Sequence, residues 1–390
     1  MRKAGLYIHI PFCVQKCSYC DFFSVKCKEF SDILEGKKGS IFARRLIEDI
    51  EFQKEKYQID EWNTVYIGGG TPSILSECDI DFICSSILCR QKNLPAEFTI
   101  EVNPDDITGP WLKTAVNAGV NRISVGVQSF SDEVLKAEKR RGSRIKTISA
   151  IEKIKTFKNV LLSCDLIAGL KNQTEEILKN DLKTLLNFLP QHISFYSLCT
   201  EKRREEDTEN YIDLLWLKGK DILENNGYNL YEVSNFSYKN LYKSIHNNKY
   251  WKLHDYGGVG PGAFGSIFYG KKQTGTAGAL RFCSCKNIKK WLSPENLNSV
   301  YEYEDVCEKE FIEETLMMNL RLTEGINKKE FYDRFNIEIN DVIKKTILKW
   351  SNAGKAFIDD DFFRLTSEGF IFLNFFLKEA FEELDLSLHN

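Results

Sequence analysis

Three cysteines stand within eight residues, as Cys13-Val-Gln-Lys-Cys17-Ser-Tyr-Cys20. A CxxxCxxC spacing lets three thiolates converge on one site. A structural zinc site wants four closed ligands, typically as two separated pairs, and this chain has no second CxxC pair. An iron–sulfur cubane can take three cysteines and leave one iron open, and cluster iron takes thiolate ligands by preference. Zinc and inert buried thiols are the competing readings. His9 is near in sequence but lies on a strand, where it can simply face the core or a barrel lumen.

The elements that must position this loop alternate regularly. Strand-like runs at 5–10, 64–69, 98–102, 122–127, 160–169 and 192–198 are followed by helical sequence near 41–56, 76–90, 110–118, 131–157, 174–188 and 207–226. Six strand–helix units in series, with strands apolar on both faces, imply a parallel sheet with helices outside. Six is fewer than the eight of a closed TIM barrel, so an open partial barrel and a doubly wound sheet both fit. The chemically unusual residues gather at strand C-terminal ends, where barrels place their sites, and this favours an α/β partial (β/α)6 TIM-like barrel over residues 1–235. A connecting segment over 236–300 carries HNNKYW and the Gly-rich GGVGPGAFGS. Residues 301–390 read as a helical, winged-helix-like α+β domain without a basic recognition helix, so not a DNA reader.

Composition narrows the class. The 390 residues are 43% hydrophobic and 28% charged, which excludes disorder, collagen and coiled coil. A net charge of −3 gives no basic excess for nucleic-acid binding. No long apolar run spans a membrane, and the start lacks a signal peptide, so a cytoplasmic location is expected. The 12 cysteines then argue for thiols and metal ligands rather than a disulfide framework. Outside the triad, nine cysteines, Cys164 beside Asp165 included, read as buried or incidental.

The segments YIHIPFCVQKCSYCDF, YIGGGTPS, EVNPDD, RISVGVQSF, CDLIAGL, HISFYSL, YEVSNF, HNNKYW and GVGPGA, in that order from residue 7 to about 264, resemble the radical S-adenosylmethionine (SAM) superfamily. Within it the chain is most similar to the branch holding oxygen-independent coproporphyrinogen III dehydrogenase and the heme chaperone HemW. MMNLRLTEGI and LTSEGF extend the resemblance through the C-terminal module. The resemblance implies a [4Fe-4S] cluster on Cys13, Cys17 and Cys20, with SAM bound at its fourth iron. It places Tyr19 by the adenine, Gly69, Gly70 and Thr71 at the SAM amino group, and Tyr7, Glu101, Gln128, Arg140 and Asp165 around the same ligand. The plain alternative for the two carboxylates is an ion pair with Arg122, Arg140 or Arg141 in the lumen. The family often has a histidine two residues after the arginine; Gly142 stands there, so no catalytic histidine is assigned. His246 opens HNxxYW, which the resemblance associates with heme, with Tyr250 and Trp251 lining a porphyrin and His254 a second candidate ligand. The alternative is a histidine hydrogen-bonded within its loop.

A carrier and a catalyst then compete. The dehydrogenase typically carries a further cysteine as CxC after the triad and a long N-terminal extension; here Cys20 is followed by Asp21-Phe22, and Cys13 lies close to Met1. With HNNKYW present, a heme chaperone is expected, and decarboxylation of coproporphyrinogen III to protoporphyrinogen IX is the alternative. Implied partners are heme, a heme-recipient protein with respiratory proteins among the candidates, a reductant such as flavodoxin or ferredoxin, and a second copy in a homodimer. Three segments depart from the family pattern: GLKNQT replaces GLPGQT at 169–174, TEKRREEDTENY lacks the usual Gly-Thr, and residues 26–40 look inserted.

Overall fold

The computed structural model describes residues 2–36, 39–198 and 206–388. Cys199 and the first half of the departing TEKRREEDTENY segment lie outside them. Six parallel strands, β1 (Lys3–Ile10), β2 (Glu61–Gly69), β3 (Glu97–Val102), β4 (Arg122–Gln128), β5 (Leu161–Ala168) and β6 (His192–Ser197), pair in that order. Each is apolar on both faces because it is covered by helices outside and side chains inside. This is the six-stranded partial barrel that the alternation implies.

The helices begin where the sequence offers caps. Ser40, Ser76, Thr108, Ser131, Ser143 and Thr174 each accept a backbone N–H three residues on, satisfying a donor that a helix start leaves unpaired. One helical stretch expected over 131–157 is in fact two, Asp132–Ala137 and Arg144–Lys155. Lys139 at φ 53° and Gly142 at φ 117° turn the chain between them, and that turn carries Arg140.

The sheet continues past residue 235. Beyond β6 it adds β8 (Asn235–Tyr238) and then β7 (Tyr228–Glu232), both antiparallel. Beyond β1 it adds β9 (Tyr256–Val259), parallel to β1, then the antiparallel β10 (Phe264–Tyr269), β11 (Gly278–Ser284) and β12 (Tyr301–Val306). The segment expected to connect domains therefore contributes β8 to β11 to this sheet. Its glycines permit close strand contact: a Cβ on Gly258 would lie 1.9 Å from the Phe264 carbonyl oxygen. A second core, with Phe311, Phe335, Trp350, Phe363 and Phe376, is built from helices and the hairpin Ala356–Ile358 and Phe362–Leu365. Among the described residues no helix is long and apolar enough to cross a membrane.

At the N-terminal ends of the strands, the Ile245–Trp251 helix packs under the barrel. Glu97, at the start of β3, anchors it by accepting from Ser244 Oγ (2.9 Å), Ile245 N (2.8 Å) and His246 N (3.1 Å). The same carboxylate pairs with Arg122 Nε at 3.1 Å, both side chains nearly fully buried. Glu97→Ala would strand the Arg122 charge and uncap the helix. We expect it to lower the unfolding free energy by about 3–5 kcal/mol in urea titration; a loss below about 1 kcal/mol would show that this anchor is dispensable.

Candidate functional site

The cysteine loop leaves β1 and is pinned at both ends. Phe12–Cys13 pairs in parallel with Val25–Lys26, which closes the loop on itself. Ser18 N donates to the Glu138 carbonyl at 3.1 Å, and the Ser18 hydroxyl donates to the Glu138 carboxylate. Gln15 Nε2 reaches the Lys139 carbonyl at 2.7 Å. The loop is thus fastened to the turn after Asp132–Ala137, a partner that no local sequence signal indicates.

Around it the strand ends form a cavity of about 650 Å³ lined by all three cysteines, Tyr19, Gly69, Gly70, Thr71, Glu101, Gln128, Arg140 and Asp165. Thr71 Oγ1 donates to Cys13 Sγ at 3.3 Å. Arg140 donates to Tyr19 Oη at 3.0 Å, to Cys17 Sγ at 3.8 Å and to the Gly126 carbonyl. Arg141 is occupied elsewhere, in a two-pronged pair with Asp106 at 3.0 Å on each oxygen. Of the two adjacent arginines, Arg140 is the one that reaches a cysteine.

The glycine ridge is held by close contacts. Gly69, at φ 108°, would place a Cβ 2.6 Å from the His9 ring, and Gly70 would place one 2.7 Å from the Phe12 carbonyl oxygen. Both therefore present bare backbone to the cavity. His9 is engaged on both ring nitrogens, by Tyr7 Oη at 3.0 Å and the Phe23 carbonyl at 2.9 Å. It buttresses the loop rather than ligating anything. Tyr7 does not line the cavity; it supports His9 from beneath.

Glu101 accepts from Tyr66 Oη (2.7 Å) and Gly69 N (3.1 Å), and Asp165 accepts from Ser124 Oγ (3.1 Å). Tyr66 and Ser124 escaped the sequence reading, since polar residues on a lumen-facing strand carry no motif. Among the described residues neither carboxylate forms an ion pair; Arg122 and Arg141 pair with Glu97 and Asp106 instead. Burial, with Asp165 nearby, pushes the Glu101 carboxyl up to about 7, and burial pushes Asp165 up to about 6. Gln128, at φ 66°, has its buried Oε1 without a partner. Two uncompensated carboxyls and an orphan amide oxygen are acceptors for a ligand bearing cationic and hydroxyl donors. Among the described residues no three His, Cys, Asp or Glu side chains converge closely enough for a single ion. A single zinc needs every donor within about 2.0–2.3 Å, whereas a cluster spreads its thiolates over separate irons.

His246 is not brought to this cavity. It sits fully buried on the Ile245–Trp251 helix, hydrogen-bonded through Nδ1 to Thr64 Oγ1 (2.9 Å) and through Nε2 to Tyr250 Oη (2.7 Å). Its ring stacks on Tyr66 at 5.2 Å. Burial, then the Lys249 charge, lowers its pKa to about 3. Both ring nitrogens are hydrogen-bonded in this arrangement. Tyr250 packs edge-on against Tyr256 instead of lining a ligand face.

Comparison with known proteins extends this picture. Residues 7–185 match the family model of the radical SAM superfamily, and residues 307–372 match that of the HemN C-terminal domain. Heme chaperone HemW of Buchnera aphidicola subsp. Schizaphis graminum is 33% identical, over 96% of this chain and 97% of the relative. Heme chaperone HemW of Escherichia coli K12 is 31% identical, over 96% and 97%. The solved coproporphyrinogen III oxidase (HemN) from Escherichia coli superposes with a TM-score of 0.77 at 18% identity, covering 97% of this chain and 90% of that one. That last likeness concerns the fold alone.

The raised carboxyl values set a pH dependence. A carboxyl whose folded-state value lies above its unfolded one opposes folding when it ionises. The cost is absent below the ordinary Glu value of 4.5, grows up to about 7 and is full above it. The metal-free Glu101→Gln chain should therefore be more stable than the parent at pH 8, by about 1–3 kcal/mol, with the two converging at pH 4. Thermal melts across that range check it; a constant difference would refute the assignment of the burden to Glu101.

Proposed function

The chain belongs to the HemW heme chaperone family of the radical SAM superfamily, and from that premise we propose that it binds heme and passes it to a recipient protein. The observation that carries this reading is likeness to HemW relatives over nearly the whole length of both chains. Asp21-Phe22 in place of a fourth nearby cysteine points the same way.

In this reading Cys13, Cys17 and Cys20 hold a [4Fe-4S] cluster and the cavity beside them holds SAM. Support comes from the donor set: three unpaired thiols on one wall, unpaired carboxyls and an orphan amide oxygen on the other. When bound, the cluster supplies single electrons to the SAM sulfonium. The Thr71 hydroxyl steadies the Cys13 sulfur. Gly69 and Gly70 would offer backbone carbonyls to the SAM amino group, and the Arg140 guanidinium would face its carboxylate. Glu101, Asp165 and Gln128 take the ribose and amino donors, and Tyr19, oriented by Arg140, flanks the adenine. Tyr7 acts one step back, through His9. A flavodoxin- or ferredoxin-like reductant would approach the rim, where Val14 and Phe22 stand in solvent. A cytoplasmic setting and a homodimer complete the reading.

Anaerobic reconstitution with iron and sulfide should give a broad visible absorbance that Cys17→Ala abolishes; its survival in that variant would remove the cluster assignment. The whole chain should bind hemin and deliver it to an apo-heme protein. Incubated with coproporphyrinogen III, SAM and reductant, it should yield no protoporphyrinogen, and formation of that product would replace the chaperone with a dehydrogenase.

A further inference from the structure

Glu138 follows the short Asp132–Ala137 helix and is 1% exposed, yet its carboxylate takes donors from two distant parts of the chain. The hydroxyl of Ser18, which stands between Cys17 and Cys20, donates to one oxygen. The backbone amide of Lys171, in the turn after β5, donates to the other at 2.6 Å. Burying a carboxylate is costly unless it is hydrogen-bonded, so the two donors tie three segments together at one point. The backbone reinforces the tie, through Ser18 N on the Glu138 carbonyl and Gln15 Nε2 on the Lys139 carbonyl.

The turn after β5 departs from the family pattern at this contact. The Leu170 carbonyl accepts from Gln173 N at 3.0 Å, which closes a four-residue turn around Lys171 and Asn172. Asn172 sits at φ 65°, the left-handed backbone that a type II turn asks of its third residue; proline and then glycine suit the two central places. GLKNQT puts Lys171 and Asn172 where the pattern GLPGQT has that pair. Asparagine tolerates the left-handed backbone. Lysine, unlike proline, brings a backbone N–H, and Glu138 accepts it. The tied segments also form one wall of the upper cavity, the one that holds the cysteines. Arg140, two residues beyond Glu138, reaches Tyr19 Oη and Cys17 Sγ. Tyr19, next to Ser18, packs on Val134, Ile167 and Leu170. Glu138 itself does not line the cavity.

Resting on the reading of the upper cavity as the SAM site, we propose that Glu138 is a positioning residue for that site. Its carboxylate holds the cysteine loop, the turn that carries Arg140 and the turn after β5 in one arrangement. It thereby sets where Tyr19 and Arg140 stand to meet the adenine and the carboxylate of SAM. It acts through Ser18 and Lys171 and touches no ligand itself.

Equilibrium dialysis of labelled SAM against the reconstituted full chain, at equal cluster content, tests this. Electron paramagnetic resonance of the reduced cluster, with and without SAM, gives a second readout. The parent should bind SAM and shift its spectrum on binding. Glu138→Ala should bind SAM about tenfold or more weaker and need correspondingly more SAM for the spectral shift. Adding Lys171→Pro to Glu138→Ala removes the stranded N–H in a turn that accepts proline, and should restore most of the lost affinity. Ser18 is exposed, so Ser18→Ala puts no folding at risk; it should weaken SAM binding several-fold with an unchanged melting temperature. A merely structural Glu138 would lower the melting temperature and leave the SAM affinity of the folded chain as it was, and that result would overturn the inference. So would parent-like binding in Ser18→Ala, or a loss in Glu138→Ala that Lys171→Pro does not reduce. A parent chain that loads a cluster and binds no SAM would overturn the reading of the cavity, and the inference with it.

Discussion

The carboxylate of Glu97 joins the two halves of the molecule. It neutralises Arg122 within the barrel wall and takes the first amides of the Ile245–Trp251 helix. A helix start buried without such an acceptor leaves costly orphan donors. With the helix fixed, His246 is held against Tyr66, and the Tyr66 hydroxyl holds Glu101, which in turn holds the Gly69 amide at the edge of the upper cavity. One buried acidic group at the bottom of the barrel thus sets the geometry of a carboxylate and a glycine at the top.

The upper site is arranged at a cost in stability. Glu101 and Asp165 are half-buried and, among the described residues, form no ion pair, although arginines stand nearby. Each of those arginines is spoken for: Arg122 by Glu97, Arg141 by Asp106, Arg140 by Tyr19, Cys17 and the Gly126 carbonyl. A sequence selected for stability alone would pair these charges within the lumen. Leaving them unpaired is the kind of local violation that marks a ligand site, where the missing partner arrives with the ligand.

The barrel was legible because two independent signals agree along it. Apolar runs mark the strands, and Ser or Thr caps mark most helix starts, so boundaries such as Ile41–Lys56 and Arg122–Gln128 fall within a residue or two of the expected ones. The break inside 131–157 escaped because both halves keep helical patterning; the reversal rests on Lys139 and Gly142 adopting positive φ. The Gly-rich run at 257–266 read as loop because glycine disfavours strands. In place it forms strands, since Gly258 and Gly265 let neighbouring chains approach more closely than any side chain allows. The triad, the glycine ridge and Arg140 were legible from order along the chain. Tyr66, Ser124, Glu138 and Glu97 were not, because each acts across the sheet or between distant turns.

The two histidines near HNNKYW separate on burial and bonding: His246 is fully buried and hydrogen-bonded on both nitrogens, whereas His254 is exposed. Spacing along the chain puts His246 and His254 in one neighbourhood and cannot say which end of the barrel, or which face of the helix, each one meets. Exposing His246 to a porphyrin would break its bonds to Thr64 and Tyr250 and lift its ring from Tyr66. It would also disturb the helix start that Glu97 caps. At about 1 kcal/mol for each lost hydrogen bond and up to about 3 for each polar group left buried without a partner, that rearrangement costs several kcal/mol before any iron bond forms.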